Sequence, residues 1–136
     1  MTSSAQLIEL PEFADSRGSL VVAEHLKQLP FSVERVFFQS QVPAGDKRGM
    51  HAHRACHQVL VCVSGAVTAV VDNGTDREEV RLDRANLALH MPPMTWGTQF
   101  DYAPGTVLLV LASHGYDPDD YIHDYNEFTQ AVAQQQ

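Results

Sequence analysis

The sequence predicts an all-β fold, a small jelly-roll barrel with a short C-terminal helix. Three observations support this prediction. Short runs rich in Val and Leu recur through the chain, turn-forming residues separate them, and histidines lie two residues apart in one extended segment. With 136 residues, of which 44% are apolar, the chain suits a single domain over residues 1–136 with a core of its own.

Seven runs are predicted strands, because β-favouring residues fill them and Gly, Pro, Asp or Asn bound them. They cover residues 19–24, 33–40, 58–63, 66–71, 78–82, 87–91 and 106–111. Between two of them, Asn73 and Gly74 predict a tight hairpin, since both residue types accept a positive φ. Short strands joined by such turns are typical of β-sandwiches and barrels.

A helix is predicted over about residues 117–132. Asp117 suits the N-cap, Pro118 suits the first helical position, and acidic residues follow in the first turn. One stripe of the predicted helix is apolar or aromatic and is expected to pack against the barrel. This stripe comprises Tyr121, Ile122, Tyr125 and Phe128.

The composition excludes some partners. A net charge of −8 and a pI near 5.2 argue against a nucleic-acid partner, because phosphate neutralisation needs clustered Lys and Arg. The longest apolar stretch, residues 107–112, is too short to span a bilayer, and residues 1–12 lack the pattern of a signal peptide. We therefore expect no membrane partner and a cytoplasmic location, which suits Cys56 and Cys62 as free thiols.

The segment of residues 48–58 carries the residues best suited to chemistry. In a strand, His51 and His53 point to the same face with their Cα atoms about 7 Å apart. His57 has the same parity, and the same face continues as an apolar wall of Val59, Val61 and Val63. A strand with imidazoles at its start and valines beyond them is what the inside of a small barrel requires.

Two functional interpretations of these histidines compete with a purely structural role. His-x-His followed four residues later by a third candidate ligand is the first metal motif of many cupins, and imidazole suits several transition metals. Those cupins usually take a further His after a Pro-containing turn, where this chain has Gly97, and His90 lies before that turn. The other interpretation is metal-free acid–base catalysis, because imidazole titrates near neutral pH.

The chain resembles the dTDP-4-keto-6-deoxyglucose 3,4-ketoisomerases, which belong to the cupin superfamily. The resemblance spans almost the whole chain and is carried by residues 15–20 (DSRGSL), 35–36 (RV), 48–53 (RGMHAH), 58–62 (QVLVC), 111–113 (LAS) and 120–122 (DYI). It implies a metal-independent enzyme without a cofactor that works as a homodimer with exchanged N-terminal strands. Its substrate would be a dTDP-linked 4-keto sugar whose carbonyl moves to C3, in the biosynthesis of unusual deoxy and amino sugars for polysaccharides or antibiotics.

The resemblance and the residue chemistry together suggest a role for each candidate residue. His51 is expected to remove the C3 proton, and His53 to bind a sugar oxygen or relay a hydroxyl proton. Arg48 is expected to bind the pyrophosphate, with Arg17 and Arg35 as further candidates. An ion pair with Asp15 is the alternative for Arg17. Trp96 is expected either to stack on thymine or sugar or to pack in the core.

The chain departs from the family pattern near the expected cleft. Phe37 and Phe38 stand where tyrosines are usual, His57 stands for a Glu, and Gly97 follows Trp96 where a His is usual. His57 is therefore a candidate substrate-binding or proton-relay residue. These departures leave two alternatives to the ketoisomerase: a metal-dependent cupin using His51, His53 and His57, and a non-catalytic sugar-binding cupin.

Overall fold

The computed structural model describes residues 4–135, which form twelve strands, one 3-10 turn and one α-helix. The strands are β1 (Gln6–Glu9), β2 (Glu12–Asp15), β3 (Gly18–Val21), β4 (Arg35–Ser40), β5 (Arg48–His53), β6 (Gln58–Ser64), β7 (Val67–Asp72), β8 (Arg77–Leu82), β9 (Leu87–Met91), β10 (Trp96–Phe100), β11 (Val107–Ala112) and β12 (Tyr121–Ile122). The 3-10 turn is Pro118–Asp120, and the helix α1 is Tyr125–Gln134.

Two antiparallel five-stranded sheets make up the fold, in the orders β1-β9-β6-β11-β4 and β12-β5-β10-β7-β8. Both sheets contribute to one buried core, which includes Leu60, Leu89, Leu108 and Val110 from the first sheet and Val67, Ala69 and Val71 from the second. Strands β2 and β3 form a separate hairpin. The prediction of an all-β jelly roll with a short C-terminal helix is confirmed, with the sheets arranged as a sandwich that is not closed into a barrel.

Each of the seven predicted strands is present, with ends shifted by a few residues. The prediction that residues 51–63 form one strand with a single inner face is wrong. Strand β5 ends at His53 and β6 begins at Gln58, and the link between them bonds to the C-terminal segment instead of to a sheet. The backbone N–H groups of Arg54 and Ala55 donate to Asp120, at 2.8 and 2.7 Å.

Because of this link, the even-numbered residues of β6 face the core, whereas in β5 the odd-numbered His51 and His53 face it. Leu60 and Cys62 face the core between the sheets, whereas Val59 and Val61 pack on the other side of their sheet, in a cluster with Leu10, Leu29 and Phe31. The valines therefore do not continue the face that carries His51 and His53.

The predicted start of the C-terminal helix is also wrong, because the helix begins later in the chain. Asp117 does act as an N-cap, but it caps only the 3-10 turn. The chain then extends as β12, which pairs Tyr121 with His53 and Ile122 with Ala52, and α1 begins only after its own cap, Asp124. The expected packing on the sheet holds for Ile122 and Phe128, which are buried with Ala52 and Trp96. Within residues 4–135, no helix is long and apolar enough to cross a membrane.

Candidate active site

A cavity of about 420 Å³ lies among the inward-facing side chains of both sheets. Three of the candidate residues, His51, His53 and Arg48, line it. Its apolar wall comes from residues such as Phe37, Leu60, Met91 and Val110. The lining also contains polar side chains that the sequence did not indicate: Gln39, Lys47, Gln58, Thr95, Gln99, Tyr121 and His123. The cavity thus combines an apolar wall with a group of polar side chains, as ligand sites do.

A β-bulge immediately before His51 sets the direction of its side chain. Opposite β10, Gly97 pairs with His51 and Thr98 with Gly49, so Met50 is an extra residue in β5. Gly49 and Met50 both have a positive φ, of 83° and 62°. A side chain at position 49 would meet the Gly97 carbonyl oxygen at 3.0 Å, which explains the glycine there.

The backbone fixes the tautomer of His51. Its Nδ1 lies 3.1 Å from the Gly49 carbonyl oxygen. Since a carbonyl oxygen only accepts hydrogen bonds, Nδ1 carries the hydrogen and Nε2 of the neutral ring keeps its lone pair. The pKa of His51 is lowered to about 4, mainly by burial and then by the nearby His53, against the opposing effect of the Gly49 carbonyl. At neutral pH His51 is therefore an uncharged base.

His53 is held by a carboxylate. Its Nδ1 lies 2.9 Å from Asp120 Oδ2, while the other oxygen of Asp120 accepts the Ala55 N–H at 2.7 Å. The Nε2 atom of His53 is buried and has no hydrogen-bond partner among residues 4–135. Burial lowers the pKa of His53, although the bond to Asp120 opposes this shift. Despite its own burial, Asp120 has a lowered pKa because the Ala55 N–H and His53 donate to it, so it stays ionised.

Four aromatic side chains, two from β5 and two from the β12 segment, lie close together. The ring of His51 lies 4.9 Å from those of His53 and Tyr121 and 5.8 Å from that of His123, measured between centroids. The Tyr121 ring lies 4.4 Å from that of His53. Arg35 Nη1 lies 3.5 Å from the Tyr121 hydroxyl. The two candidate acid–base histidines therefore share one aromatic wall.

The three candidate arginines occupy different places. Arg48 lines the cavity. Arg35 has its guanidinium over the ring of Phe37 at 5.2 Å, and its buried Nε has no hydrogen-bond partner in the described part of the chain. Arg17 lies in the turn of the β2–β3 hairpin, where its side chain is 88% exposed and pairs with Asp15 at 2.6 Å. The ion pair that was the alternative for Arg17 is thus present, and Arg17 lies outside this chain's cavity.

Of the two expectations for Trp96, packing in the core is the one observed: it is the first residue of β10 and is buried against Tyr125 and Phe128. The expectation for His57 needs correction. His57 does not share a face with His51, because the link before β6 changes the parity. Its Nδ1 lies 3.0 Å from His90 Nε2, and its ring packs near Phe31. The three-histidine metal set is consequently not assembled.

The family departures also separate in space. Phe37 lines the cavity, whereas Phe38 is 67% exposed on the outer side of β4. Gly97 lines the cavity too, and a side chain there would clash with the end of the Met91 side chain. Of these two phenylalanines, only Phe37 stands in the cavity wall, so only there does the change from tyrosine remove a hydroxyl from the site.

Sequence reasoning missed the residues that the C-terminal segment contributes, namely Asp120, Tyr121 and His123. Asp120 and Tyr121 belong to a motif that carried the family resemblance, but the predicted helix gave no reason to place them beside β5. Asp120, His53 and Cys56 also form the one group in the described part of the chain whose potential metal-ligand atoms lie within 4.8 Å of one another. In that group His53 and Asp120 bond to each other, and the Cys56 thiol donates to the His57 carbonyl.

Comparison with known proteins gives consistent matches. The sequence model of the family FdtA: WxcM-like, C-terminal, matches residues 3–133. The chain is 38% identical over 128 residues to TDP-4-oxo-6-deoxy-alpha-D-glucose-3,4-oxoisomerase of Aneurinibacillus thermoaerophilus, covering 94% of this chain and 92% of that protein.

Solved structures give the same picture. The sugar 3,4-ketoisomerase QdtA of Thermoanaerobacterium thermosaccharolyticum, in complex with TDP, superposes with a TM-score of 0.95 at 32% identity, covering 99% of this chain and 98% of that chain. A 3,4-ketoisomerase from Helicobacter canadensis superposes with a TM-score of 0.92 at 32% identity, covering 96% and 98%.

Proposed function

The chain belongs to the FdtA family (WxcM-like, C-terminal), and from this membership we propose that it is a TDP-sugar 3,4-ketoisomerase. Such an isomerase moves the carbonyl group of a TDP-linked 4-keto-6-deoxyhexose from C4 to C3. The observation that carries the proposal is the pair of adjacent imidazoles in the cavity. His51 and His53 each direct their Nδ1 hydrogen to a fixed acceptor, so each keeps an Nε2 lone pair for a substrate proton.

His51 is proposed to move the carbon-bound proton. The C4 carbonyl acidifies the hydrogen on C3, and Nε2 of the neutral ring takes this proton while the C3–H electrons form the double bond of an enediolate. The protonated His51 later returns the proton to C4. A partly buried ring of low pKa suits this cycle, because it gives the proton back readily.

His53 is proposed to move the oxygen-bound proton. Its unpartnered Nε2 accepts the proton of the O3 hydroxyl and delivers it to O4, so that the negative charge passes to O3. Protonation of C4 then leaves the carbonyl at C3. Asp120 holds the ring and stabilises its charged form, which is the usual contribution of a carboxylate behind a catalytic imidazole. The two transfers balance without any other reactant.

Arg48 and Lys47 are proposed to bind the pyrophosphate. Both line the cavity, and guanidinium forms paired, charge-assisted bonds with phosphate oxygens. Arg35 is placed to hold the aromatic wall, because it contacts both Phe37 and Tyr121. This assignment leaves Arg35 without a direct phosphate role.

The ketoisomerase is favoured over the two alternatives. The metal-dependent cupin needed His57 beside His51 and His53, and His57 instead pairs with His90. A non-catalytic cupin would not need the paired Nε2 lone pairs. Because the proposed transfers use no cofactor, we expect turnover to survive prolonged treatment with a chelator. If the chelator abolished turnover and added metal restored it, the alternative of a metal-dependent cupin would be supported instead.

A homodimer is also proposed, as the family resemblance implies. The β2–β3 hairpin exposes Phe13 by 65% and Leu20 by 58%, and the outer side of the edge strand β4 exposes Val36 and Phe38. Exchange of the hairpin between two copies would cover these apolar side chains. It would also bring Arg17, at the tip of the hairpin, to the partner subunit, where it can serve as a further phosphate ligand.

We expect the enzyme to act in the cytoplasm and to bind neither nucleic acid nor membrane. The net charge of −8 argues against nucleic acid as a partner. Both cysteines are free thiols, which suits a reducing cytoplasm.

The decisive experiment is incubation with TDP-4-keto-6-deoxyglucose, with the product identified by proton NMR. We expect the 3-keto isomer to form. His51→Asn should keep the fold and bind TDP, while turnover and exchange of the C3 hydrogen with deuterated solvent fall by at least about a hundredfold. His114→Asn is the matched control, because His114 is exposed and does not line the cavity. Near-normal turnover in His51→Asn would refute the assignment of the base.

A further inference from the structure

A third imidazole, that of His123, lies beside the proposed base. Strand β12 pairs Tyr121 with His53 and Ile122 with Ala52 in antiparallel register, which places His123 next to His51. The two rings are 5.8 Å apart between centroids and inclined at 65°. His123 lines the cavity but is exposed to solvent, whereas His51 is partly buried. It therefore lies between the base and the bulk solvent.

The ring of His123 is held in this position by Tyr121. The two rings stack at 5.4 Å with an angle of only 10° between their planes. Tyr121 itself contacts the rings of both His51 and His53. A stacked imidazole keeps both ring nitrogens free for proton transfer, so the stack orients His123 without occupying it.

His51 has only one nitrogen for proton exchange, because Nδ1 is committed to the Gly49 carbonyl. Positive charge on His123 disfavours positive charge on His51, as the lowered pKa of His51 reflects in part. Two adjacent imidazoles can pass a proton between them, because each ring can hold the proton in turn.

We propose that the proton taken from C3 exchanges with solvent through His123 while it resides on His51. In this exchange the protonated His51 gives its proton to neutral His123, which releases it to water. A solvent hydron returns by the reverse route, so the charge of the site is unchanged. This inference rests on the proposed ketoisomerase function, and it predicts that C4 of the product receives hydrogen from solvent.

The test follows the isotope as well as the rate. The substrate TDP-4-keto-6-deoxyglucose is converted in deuterated water, and the fraction of product carrying deuterium at C4 is measured by NMR at low conversion. His123→Phe keeps a ring against Tyr121 but removes the nitrogens, and His123→Asn removes the ring as well. His114→Asn, an exposed imidazole that does not line the cavity, is the control.

We expect both His123 variants to lower the deuterium fraction severalfold, while turnover falls by less than the roughly hundredfold loss typical of a missing acid–base group. An unchanged deuterium fraction in these variants would overturn the proposal, as would a wild-type product without solvent deuterium. A loss of turnover beyond a hundredfold would also overturn it, because His123 would then belong to the chemical steps. A wild-type protein that makes no 3-keto product would instead refute the proposed function itself.

Discussion

Asp120→Asn offers a sharp test of the site, because the carboxylate serves two donors at once. One oxygen accepts from His53 Nδ1 at 2.9 Å and the other from the Ala55 N–H at 2.7 Å. An asparagine has a single acceptor oxygen for these two donors. If that oxygen stays on Ala55, the amide nitrogen faces His53 and forces its hydrogen from Nδ1 to Nε2. His53 then loses the lone pair that the O3 hydroxyl needs.

The expected magnitude has two parts. Turnover should fall by about 10²–10⁴-fold, since general acid–base assistance contributes that much and the wrong tautomer abolishes it. Stability should fall by about 1.5–3 kcal/mol, the usual contribution of a hydrogen bond to a charged group. Folded domains typically have a free energy of unfolding of about 5–15 kcal/mol, so the variant should remain folded.

The assay compares kcat with exchange of the C3 hydrogen in deuterated water. Asp120 acts on the oxygen-bound proton, so exchange at C3 should fall less in Asp120→Asn than in His51→Asn. Asp119→Asn is the matched control, because Asp119 is in the same 3-10 turn and is exposed. Wild-type kcat in Asp120→Asn would refute the role of the His53–Asp120 pair, and equal losses of exchange in both variants would refute the division of labour.

Three further predictions follow from the same geometry. Because the pKa of His51 in the free protein is lowered to about 4 and its neutral form is the base, kcat/KM should stay level from pH 7 downward and fall only as the pH passes through about 4; a decline centred near 6.5 would contradict this. Gly49→Ala should lower the melting temperature by several degrees and reduce kcat, because the φ of Gly49 is +83° and the new side chain meets the Gly97 carbonyl oxygen at 3.0 Å. Gly45→Ala is the control: its side chain would enter open space, so it should cost only the backbone strain of its own positive φ. Phe13→Asp should shift sedimentation from dimer to monomer, and a wild-type protein that sediments as a 15.1 kDa monomer at micromolar concentration would refute the dimer.

The sequence predicted the strands well where local chemistry decides them. The hairpin at Asn73 and Gly74 joins β7 to β8, and the Val-rich and Leu-rich runs are strands because their side chains fill the space between two sheets. It missed β10, since Thr98, Gln99 and the glycine before them give little strand signal. Those residues are extended because β5 and β7 flank them and bind their backbone.

The histidine motif was predicted correctly for His51 and His53 in that both line one cavity, but the prediction failed at His57. Alternation along a strand holds only while the strand is continuous. Asp120, far along the chain, binds the backbone of the β5–β6 link and ends that continuity. Tertiary bonds of this kind leave no mark in local spacing, which is also why the sequence assigned Asp120 and Tyr121 to a helix.

The position of the C-terminal segment in the site depends on the apolar side of β12. Side chains alternate along an extended segment, so Tyr121 and His123 face the cavity when Ile122 faces away from it. Ile122 is fully buried in a cluster with Ala52, Trp96 and Phe128. A slip of one residue would bring Ile122 into the cavity and remove the aromatic wall from His51 and His53. Burial of Ile122 against Trp96 therefore opposes that slip. In this way Trp96, which packs in the core, helps to hold the register of the strand that completes the site.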